Sequence, residues 1–333
     1  MTTPTNMQVH VDAVLTNVSI AFLQNRTNFV AGRVFPNVPV SKQSDRYYTF
    51  DRGDFNRDEA RVRAPGAESS GSGFNLDNTP TYYAPVTSFH HDVPWQTMVN
   101  ADAVLNLTTA ASEFVMQKLL IRKEVDWMSK YFAGGVWTFD YDGVASSPST
   151  NQVIQWSDQT NGDPIGDVRD AKTAIMESTG FEPNKFVVGR RVYDALVDHP
   201  DIVDRVKYSG GVGNGNPARV NRQTLAALFE VDEVIVANAI QNTAADGLTN
   251  AHSFIGGKKA LLTYAAPTPS LMAPSAGYTF SWTGYLNQGN EFGIAMKRIP
   301  MDLKEADRIE GGMAFDHKLV AGDLGFFWDS IVA

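Results

Sequence analysis

Between two aromatic, β-rich runs, YYTF (Tyr47–Phe50) and TYYAPVTSF (Thr81–Phe89), lies the stretch RGDFNRDEARVRAPGAESSGSGFNLDN, polar and rich in glycine. It offers almost nothing for a core to bury. A segment this long without apolar periodicity is out of place inside a compact domain. It predicts a long two-stranded ribbon that projects outward. An isolated ribbon is marginal in water, so it needs a neighbouring molecule to rest on. Oligomerisation is therefore the first expectation, and it follows from the residues alone.

The rest of the chain is ordinary enough to supply a body for such a ribbon. Its 333 residues suggest two domains of usual size, and 43% hydrophobic residues can build a sizeable core. The absence of cysteine excludes disulfides, thiolate metal sites and cysteine nucleophiles, and it fits a reducing compartment. A formal net charge of -9 argues against a dedicated duplex-DNA grip. It permits a wall that encloses nucleic acid without holding it. No apolar run is long enough to span a bilayer. The opening MTTPTNMQVHVDAVLTNVSIAF lacks the layout of a secretory signal. The expectation is a soluble chain made in the cytosol.

Residues 1–40 read as an arm that lies on something else or as a poorly ordered terminus, with Val11, Val14, Val18 and Phe22 forming one weak helical stripe. The clearest helix covers Asp102–Phe132. Val104, Leu107, Ala111, Phe114, Ile121, Val125, Met128 and Phe132 recur at steps of three and four, broken only by Lys118. Asp102 is the expected cap and Gly134-Gly135 the stop. Such a helix is about 45 Å long and suits a spine lying across a sheet. Val136–Gly166 mixes aromatic strands with turns at Asn161-Gly162 and Asp163-Pro164.

Asp167–Phe280 has an α/β pattern. Val168, Ala171, Ile175 and Ser178 mark a helix closed by Gly180, Lys185–Val188 a strand, Val192 and Leu196 a second helix, and Pro200 the first position of a third. Gly210–Pro217 is a flexible loop. Leu225–Phe229 is helical, Glu233–Ala237 and Ala260–Ala265 are strands, and Ala266–Gly277 is a proline-rich excursion. Glu291–Ala333 reads as consecutive strands turning at Gly311-Gly312 and Gly322, with partners far back beside the spine. The α/β region is then an insertion.

No constellation here carries chemistry. His90-His91-Asp92 places neighbouring side chains on opposite faces of a strand, which suits a structural role better than a metal. Asp140-Tyr141-Asp142-Gly143 opens like a calcium loop but lacks the later ligands, so a turn is expected. The glycines after Ser209 follow a helix and precede a proline, unlike a dinucleotide fingerprint. Gly257-Lys258-Lys259 lacks the flanks of a phosphate loop, and no nucleophile elbow or triad order occurs. No cofactor is expected. The ribbon's arginines Arg46, Arg52, Arg57, Arg61 and Arg63 are interleaved with Asp54, Asp58 and Glu59. On a solvated loop such pairs count for little. As inter-subunit contacts, bidentate guanidinium pairs would fix register, and the ribbon's need for support favours that role.

The segment FVVGRRVYDALVDHPDIVDRVKY (Phe186–Tyr208), the closing RIEGGMAFDHKLVAGDLGFFWDSIV and the order of parts together resemble tailed-phage major capsid proteins with the Hong Kong 97-type fold, most of all the lambda-like capsid protein E group. The resemblance implies an α+β capsid fold. Its parts would be an N-terminal arm (1–40), an extended β-hairpin loop (41–96), a peripheral domain with the spine helix (97–165), an inserted α/β axial domain (166–285) and the rest of the peripheral domain (286–333). It implies a homo-oligomer of hexamers and pentamers in an icosahedral virion shell around double-stranded DNA, made in the host cytoplasm, with no membrane partner. Gly210, Gly211, Gly213, Asn214 and Gly215 would lie near the capsomer centre.

Portal protein is an implied partner and a decoration protein a candidate one. Some members crosslink a loop lysine to a neighbour, but no lysine occurs from Gln43 to Gln117, so a non-covalent shell is expected. Roughly 40 residues before the ribbon are too few for an attached scaffold, which implies a separate scaffolding protein or earlier processing, and numbering from Met1 favours the separate scaffolding protein. The rivals are an encapsulin-like nanocompartment, which genomic neighbours would distinguish, and a soluble α/β enzyme, which would need a concave site with convergent titratable groups.

Overall fold

The computed structural model describes residues 23–101, 106–209, 220–270, 273–284 and 294–333. The stripe from Val11 to Phe22, Val104, the cap at Asp102 and the glycines from Gly210 to Gly215 lie outside the described residues. The strands are β1 (Asn37–Val40), β2 (Ser44–Arg46), β3 (Thr49–Phe50), β4 (Leu76–Asp77), β5 (Thr81–Tyr83), β6 (Val86–Pro94), β7 (Phe139–Val144), β8 (Gln152–Ile154), β9 (Lys185–Gly189), β10 (Glu233–Ala237), β11 (Ile240–Asn242), β12 (His252–Phe254), β13 (Ala260–Thr263), β14 (Gly277–Trp282), β15 (Ile294–Met301), β16 (Ala306–Leu319) and β17 (Gly325–Asp329). The helices are α1 (Arg52–Phe55), α2 (Trp95–Asn100), α3 (Leu107–Tyr131), α4 (Pro164–Thr179), α5 (Arg190–Val197), α6 (Pro200–Ser209) and α7 (Arg222–Phe229).

Two sheets organise these elements. The first runs β1-β14-β16-β15, with β6 also on β16. β16 is its axis: the first half pairs with β15 and β6, the second with β14. The second sheet runs β10-β9-β13-β17-β7-β8. Its strands KFVVG, EVIVA, ALLT and GFFWD are continuously apolar because both faces are covered. Phe186, Val188, Val234, Val236, Leu262 and Trp328 pack with residues of α4, α5, α6 and α7. Val187, Ile235, Leu261 and Phe327 face the other way, toward Trp127 and Tyr131 of α3 and toward Val30, Val34 and Phe35.

Local signals set the helix ends. Asp163 does not make the expected turn. Its side chain accepts from the Gly166 N–H and caps α4, with Pro164 at the first helical position. Gly180 closes α4 at φ 76°, a left-handed conformation that glycine adopts without strain. The stretch Asp140–Gly143, also expected as a turn, is the middle of β7, paired in parallel with β17.

The spine helix starts later than expected, at Leu107, where Asn106 accepts from the Thr109 N–H. Its buried face is also different. Ala111, Val115, Met116, Leu119, Leu120, Lys123, Glu124, Trp127, Met128 and Tyr131 are buried, whereas Phe114, at 41% exposure, and Lys118 face solvent. The reason is chemical. The buried face carries two charged residues, Lys123 and Glu124, which apolar periodicity rejects. The first half of α3 packs on the β16 sheet, and the second half is held between the second sheet and residues 30–35.

Glu124 is 0% exposed. Its carboxylate accepts from the Val30 N–H at 2.9 and 3.1 Å and from the Ala31 N–H at 2.9 Å. Residues 30–34 form a turn, with the Arg33 N–H donating to the Val30 carbonyl at 2.8 Å. Glu124 thus serves from another element as a capping residue serves from its own. Burial pushes its carboxyl up to about 7, against the opposing pull of those N–H groups and of Lys123. Burial also brings Lys123 down to about 8.

The tail corrects two further expectations. β16 runs straight through Gly311-Gly312, and the turn lies earlier, at Asp302–Lys304 followed by Glu305 at φ 45°. Gly311 is bare because α3 lies on it: a Cβ there would come within 2.6 Å of Leu119 Cδ1, 2.8 Å of Met296 Sδ and 2.9 Å of Val115 Cγ1. β15 and β16 join the first sheet beside the spine, whereas β17 crosses to the second sheet between β13 and β7, where Phe327 packs on Phe132 at the spine's end. Lys259 stitches the crossing, donating to the Phe132 carbonyl at 2.9 Å and pairing with Asp329 at 3.2 Å.

Gly311→Ala is expected to destabilise the fold by about 1–3 kcal/mol through overpacking under α3. Chemical denaturation checks this, and a variant as stable as the parent would contradict the packing. Glu124 has its carboxyl raised from an ordinary 4.5 to about 7 in the folded state. Its stabilising contribution is therefore full below 4.5 and is lost as pH rises through about 7. Glu124→Gln should flatten the pH dependence of the urea midpoint across that window; an unchanged slope would count against it.

Candidate assembly surface: the ribbon and its root

The ribbon is paired only at its root. β2 pairs antiparallel with β5, and β3 with β4. Beyond α1, no helix or strand is formed until β4. The root is held by aromatic stacking. Tyr82 lies flat on Phe280 with centroids 4.6 Å apart, and Tyr47 packs on the same ring at 5.5 Å. Further out, Phe50, Phe55 and Phe74 form a triangle with centroids 5.5–5.9 Å apart. Phe55 and Phe74 belong to the stretch with almost nothing to bury. They bury part of themselves on each other and remain exposed. Two phenylalanines flanking an otherwise polar run were the available signal for this cluster.

A groove of 990 Å³ separates the ribbon root from the body. Tyr47, Phe50 and Phe55 line one wall, and Phe181, Tyr278 and Phe280 the other. At the root an ion pair joins ribbon and body: Arg52 reaches Asp323 at 2.8 Å, and Asp323 also accepts from Thr138.

The candidate contact residues divide into two groups. Arg52 is spent on Asp323, and Arg57 on Asp54 (3.6 Å) and Glu59 (3.1 Å). Asp54 also accepts from the Asn75 N–H at 2.8 Å. Hydrogen bonds from Ser72 and Arg57 hold the Glu59 carboxyl below its usual range. These four residues shape the ribbon from within its own chain. Arg46, Arg61, Arg63 and Asp58 make no ion pair among the described residues, and all are exposed. They are the charges still available to another molecule.

The other flagged residues have local roles. Asp92 receives Arg308 at 2.7 and 3.0 Å and Lys304 at 3.4 Å, and these cations pull its carboxyl down to about 2. His91 sits edge-on to Phe114 at 5.6 Å, and burial lowers its pKa. Among the described residues no group of His, Cys, Asp and Glu is placed to hold a metal, and no helix is long and apolar enough to cross a membrane.

The family model for phage major capsid protein E matches residues 140–273, which span most of the second sheet and its helices. The major capsid protein of Pseudomonas phage JBD67 is 27% identical over 332 residues, covering 98% of this chain and 99% of its own. A phage-related protein from Bordetella bronchiseptica RB50 has the same fold, with a TM-score of 0.67 at 22% identity over 92% of this chain and 93% of that one. The capsid of cyanophage P-SCSP1u superposes with a TM-score of 0.58 at 11% identity, over 98% of each chain. The α+β architecture is the Hong Kong 97-type capsid fold, and the family match together with the whole-length relative supports a tailed-phage major capsid protein of the capsid E group.

Proposed function

We propose that this chain is the shell subunit of a tailed-phage head, and that its copies join through the ribbon into pentamers and hexamers that tile an icosahedral shell around double-stranded DNA. The observation that carries this is the ribbon itself. It projects half-exposed aromatics and the uncommitted charges Arg46, Arg61, Arg63 and Asp58 into solvent. A single chain gains little from such an element, whereas a neighbour covers it. Relationship along nearly the whole length to a curated phage capsid protein supports the head over an encapsulin-like compartment.

On this proposal the subunit has a structural role and no catalytic one. The first sheet with α3 forms the peripheral domain, and the second sheet with α4, α5, α6 and α7 the axial domain. β7, β8 and β17 then move from the peripheral to the axial part. Gly210–Gly215, between α6 and α7, would face the capsomer centre. The subunit would be made in the host cytoplasm and would meet a separate scaffolding protein, a portal and a decoration protein there. A net charge of -9 suits a wall that contains DNA without gripping it.

Co-expression with the adjacent head genes should give closed shells by electron microscopy. A persistent monomer under those conditions would refute the function. Within shells, Arg61→Ala with Arg63→Ala should lower the assembled fraction. Arg52→Ala should leave assembly intact and cost under about 1 kcal/mol of subunit stability, since its pair with Asp323 is exposed. Sedimentation and thermal unfolding separate the two effects, and the reverse pattern would reassign the residues.

A further inference from the structure

One buried carboxylate joins the ribbon root to the end of the spine helix. Asp316 of β16 is 5% exposed and lies opposite Phe280 of β14. Its Oδ2 accepts from the Tyr83 N–H at 3.0 Å, and its Oδ1 accepts from Lys130 Nζ at 3.0 Å. Tyr83 ends β5 in the ribbon root, and Lys130 lies in the last turn of α3. Lys318 also reaches the carboxylate, at 3.4 Å. Burial first, and the Asp316 charge after it, raises the hydroxyls of Tyr47 in the root and of Tyr131 on the helix above their usual range.

The geometry of the root explains why this acceptor matters. The Ala84 N–H donates to the Gln43 carbonyl and the Tyr47 N–H to the Pro80 carbonyl. The hydrogen bonds of the β2–β5 pair therefore alternate, and the Tyr83 N–H points away from β2. Asp316 supplies its acceptor, and an ionised acceptor binds more strongly than a neutral one. A buried carboxylate is itself tolerated only where cations and donors surround it. Lys130 meets that need from the helix and anchors Oδ1. Without it Lys318 remains, on Oδ2 alone and with a side chain 36% exposed, so the carboxylate is free to rotate away from Tyr83. Tyr82, the residue before, lies flat on Phe280, so the root seats through one stack and one hydrogen bond at neighbouring positions. The helix end is held from its other side by Lys259, on the Phe132 carbonyl at 2.9 Å. A displacement of the second sheet thus reaches Asp316 through one helical turn.

We propose that Asp316 is a latch that couples the seating of the ribbon root to the position of the last turn of α3. The root stays seated while Lys130 holds Asp316, and it lifts more readily when that turn withdraws Lys130. The latch is a property of the single chain and goes beyond the shell function, which does not say how the angle of a ribbon is set. Two contacts that share one partner have a coupling free energy, and the coupling is reciprocal. Lifting the root therefore loosens the helix end as well. The ion pair of Arg52 with Asp323 does not supply this link, since it is solvent-accessible, weak, and has neither partner on α3.

Hydrogen exchange at residue resolution on the full-length unassembled chain tests the latch, because that readout needs no shell. Lys130→Met alters only the helix, yet it should speed exchange of the Tyr83 amide roughly tenfold. Lys130→Arg keeps the charge and should leave that amide at the parental rate. Asp316→Asn keeps an acceptor but not the charge, and it should speed exchange at Tyr83 and in the last turn of α3 together. Lys130→Met combined with Asp316→Asn should exchange no faster at Tyr83 than Asp316→Asn alone, because the two changes break one coupled contact. The Leu119 amide in the middle of α3 should stay slow in every variant, which separates the latch from a folding defect. Parental exchange at Tyr83 in Lys130→Met, or additive effects in the double variant, would overturn the latch and leave the shell function standing. A parental chain that never forms shells would overturn the shell function and leave the latch standing.

Discussion

The packing of one long helix is the constraint on which everything else rests. α3 crosses the first sheet over Gly311 and then inserts Trp127, Tyr131 and Phe132 against the far face of the second. It is the common core of two sheets whose strands are drawn from distant parts of the chain. Close approach at Gly311 sets how deep the helix lies, because a single methyl group there would push on Leu119 and Val115. The Lys259 contact to the Phe132 carbonyl and Asp329 then fixes where the helix ends relative to β17. The body is rigid enough to carry a ribbon because this joint is apolar in its middle and hydrogen-bonded at its end.

The same helix shows where sequence is legible and where it is not. Its existence and its approximate end follow from apolar spacing, while its start lies at Leu107 rather than at Asp102. Its buried face does not, because Glu124 and Lys123 occupy it. A buried carboxylate is costly unless it is hydrogen-bonded, and its partners are backbone N–H groups of Val30 and Ala31, which carry no side-chain signature. Gly311-Gly312 misleads for a related reason. Glycine marks turns when the backbone must bend, yet here it marks close approach of another element, and sequence alone does not separate the two uses. The strand at Asp140–Gly143 is polar because β7 lies toward one edge of its sheet, so the apolar run that signalled β9 and β10 is missing. Those two, by contrast, are buried on both faces and were legible almost to the residue.

In the ribbon, the sequence conveys function better than geometry. A polar stretch too long for a compact domain signals that something outside the chain must support it, but not which charges stay free. The structure separates these by proximity. Arg52 and Arg57 find acids within their own chain, and Arg46, Arg61 and Arg63 do not. No periodicity could have made that division, since all five arginines sit among acids at similar spacing. What decides it is the folding of the root, where α1 turns Arg52 toward Asp323 and Arg57 back toward Asp54 and Glu59.

An exposed ion pair is worth little by itself, typically under about 1 kcal/mol, and a single ribbon contact would not hold two subunits together. A closed ring changes the balance. Once several copies are joined, releasing one ribbon leaves its subunit held by its other contacts, so rebinding is local and each weak contact acts at high effective concentration. Contacts that are individually weak can also be remade during assembly, which lets misplaced subunits leave before the shell closes. A chain without cysteine, and without lysine from Gln43 to Gln117, has few covalent routes to strengthen that surface. Its shell must draw strength from the repetition of weak contacts.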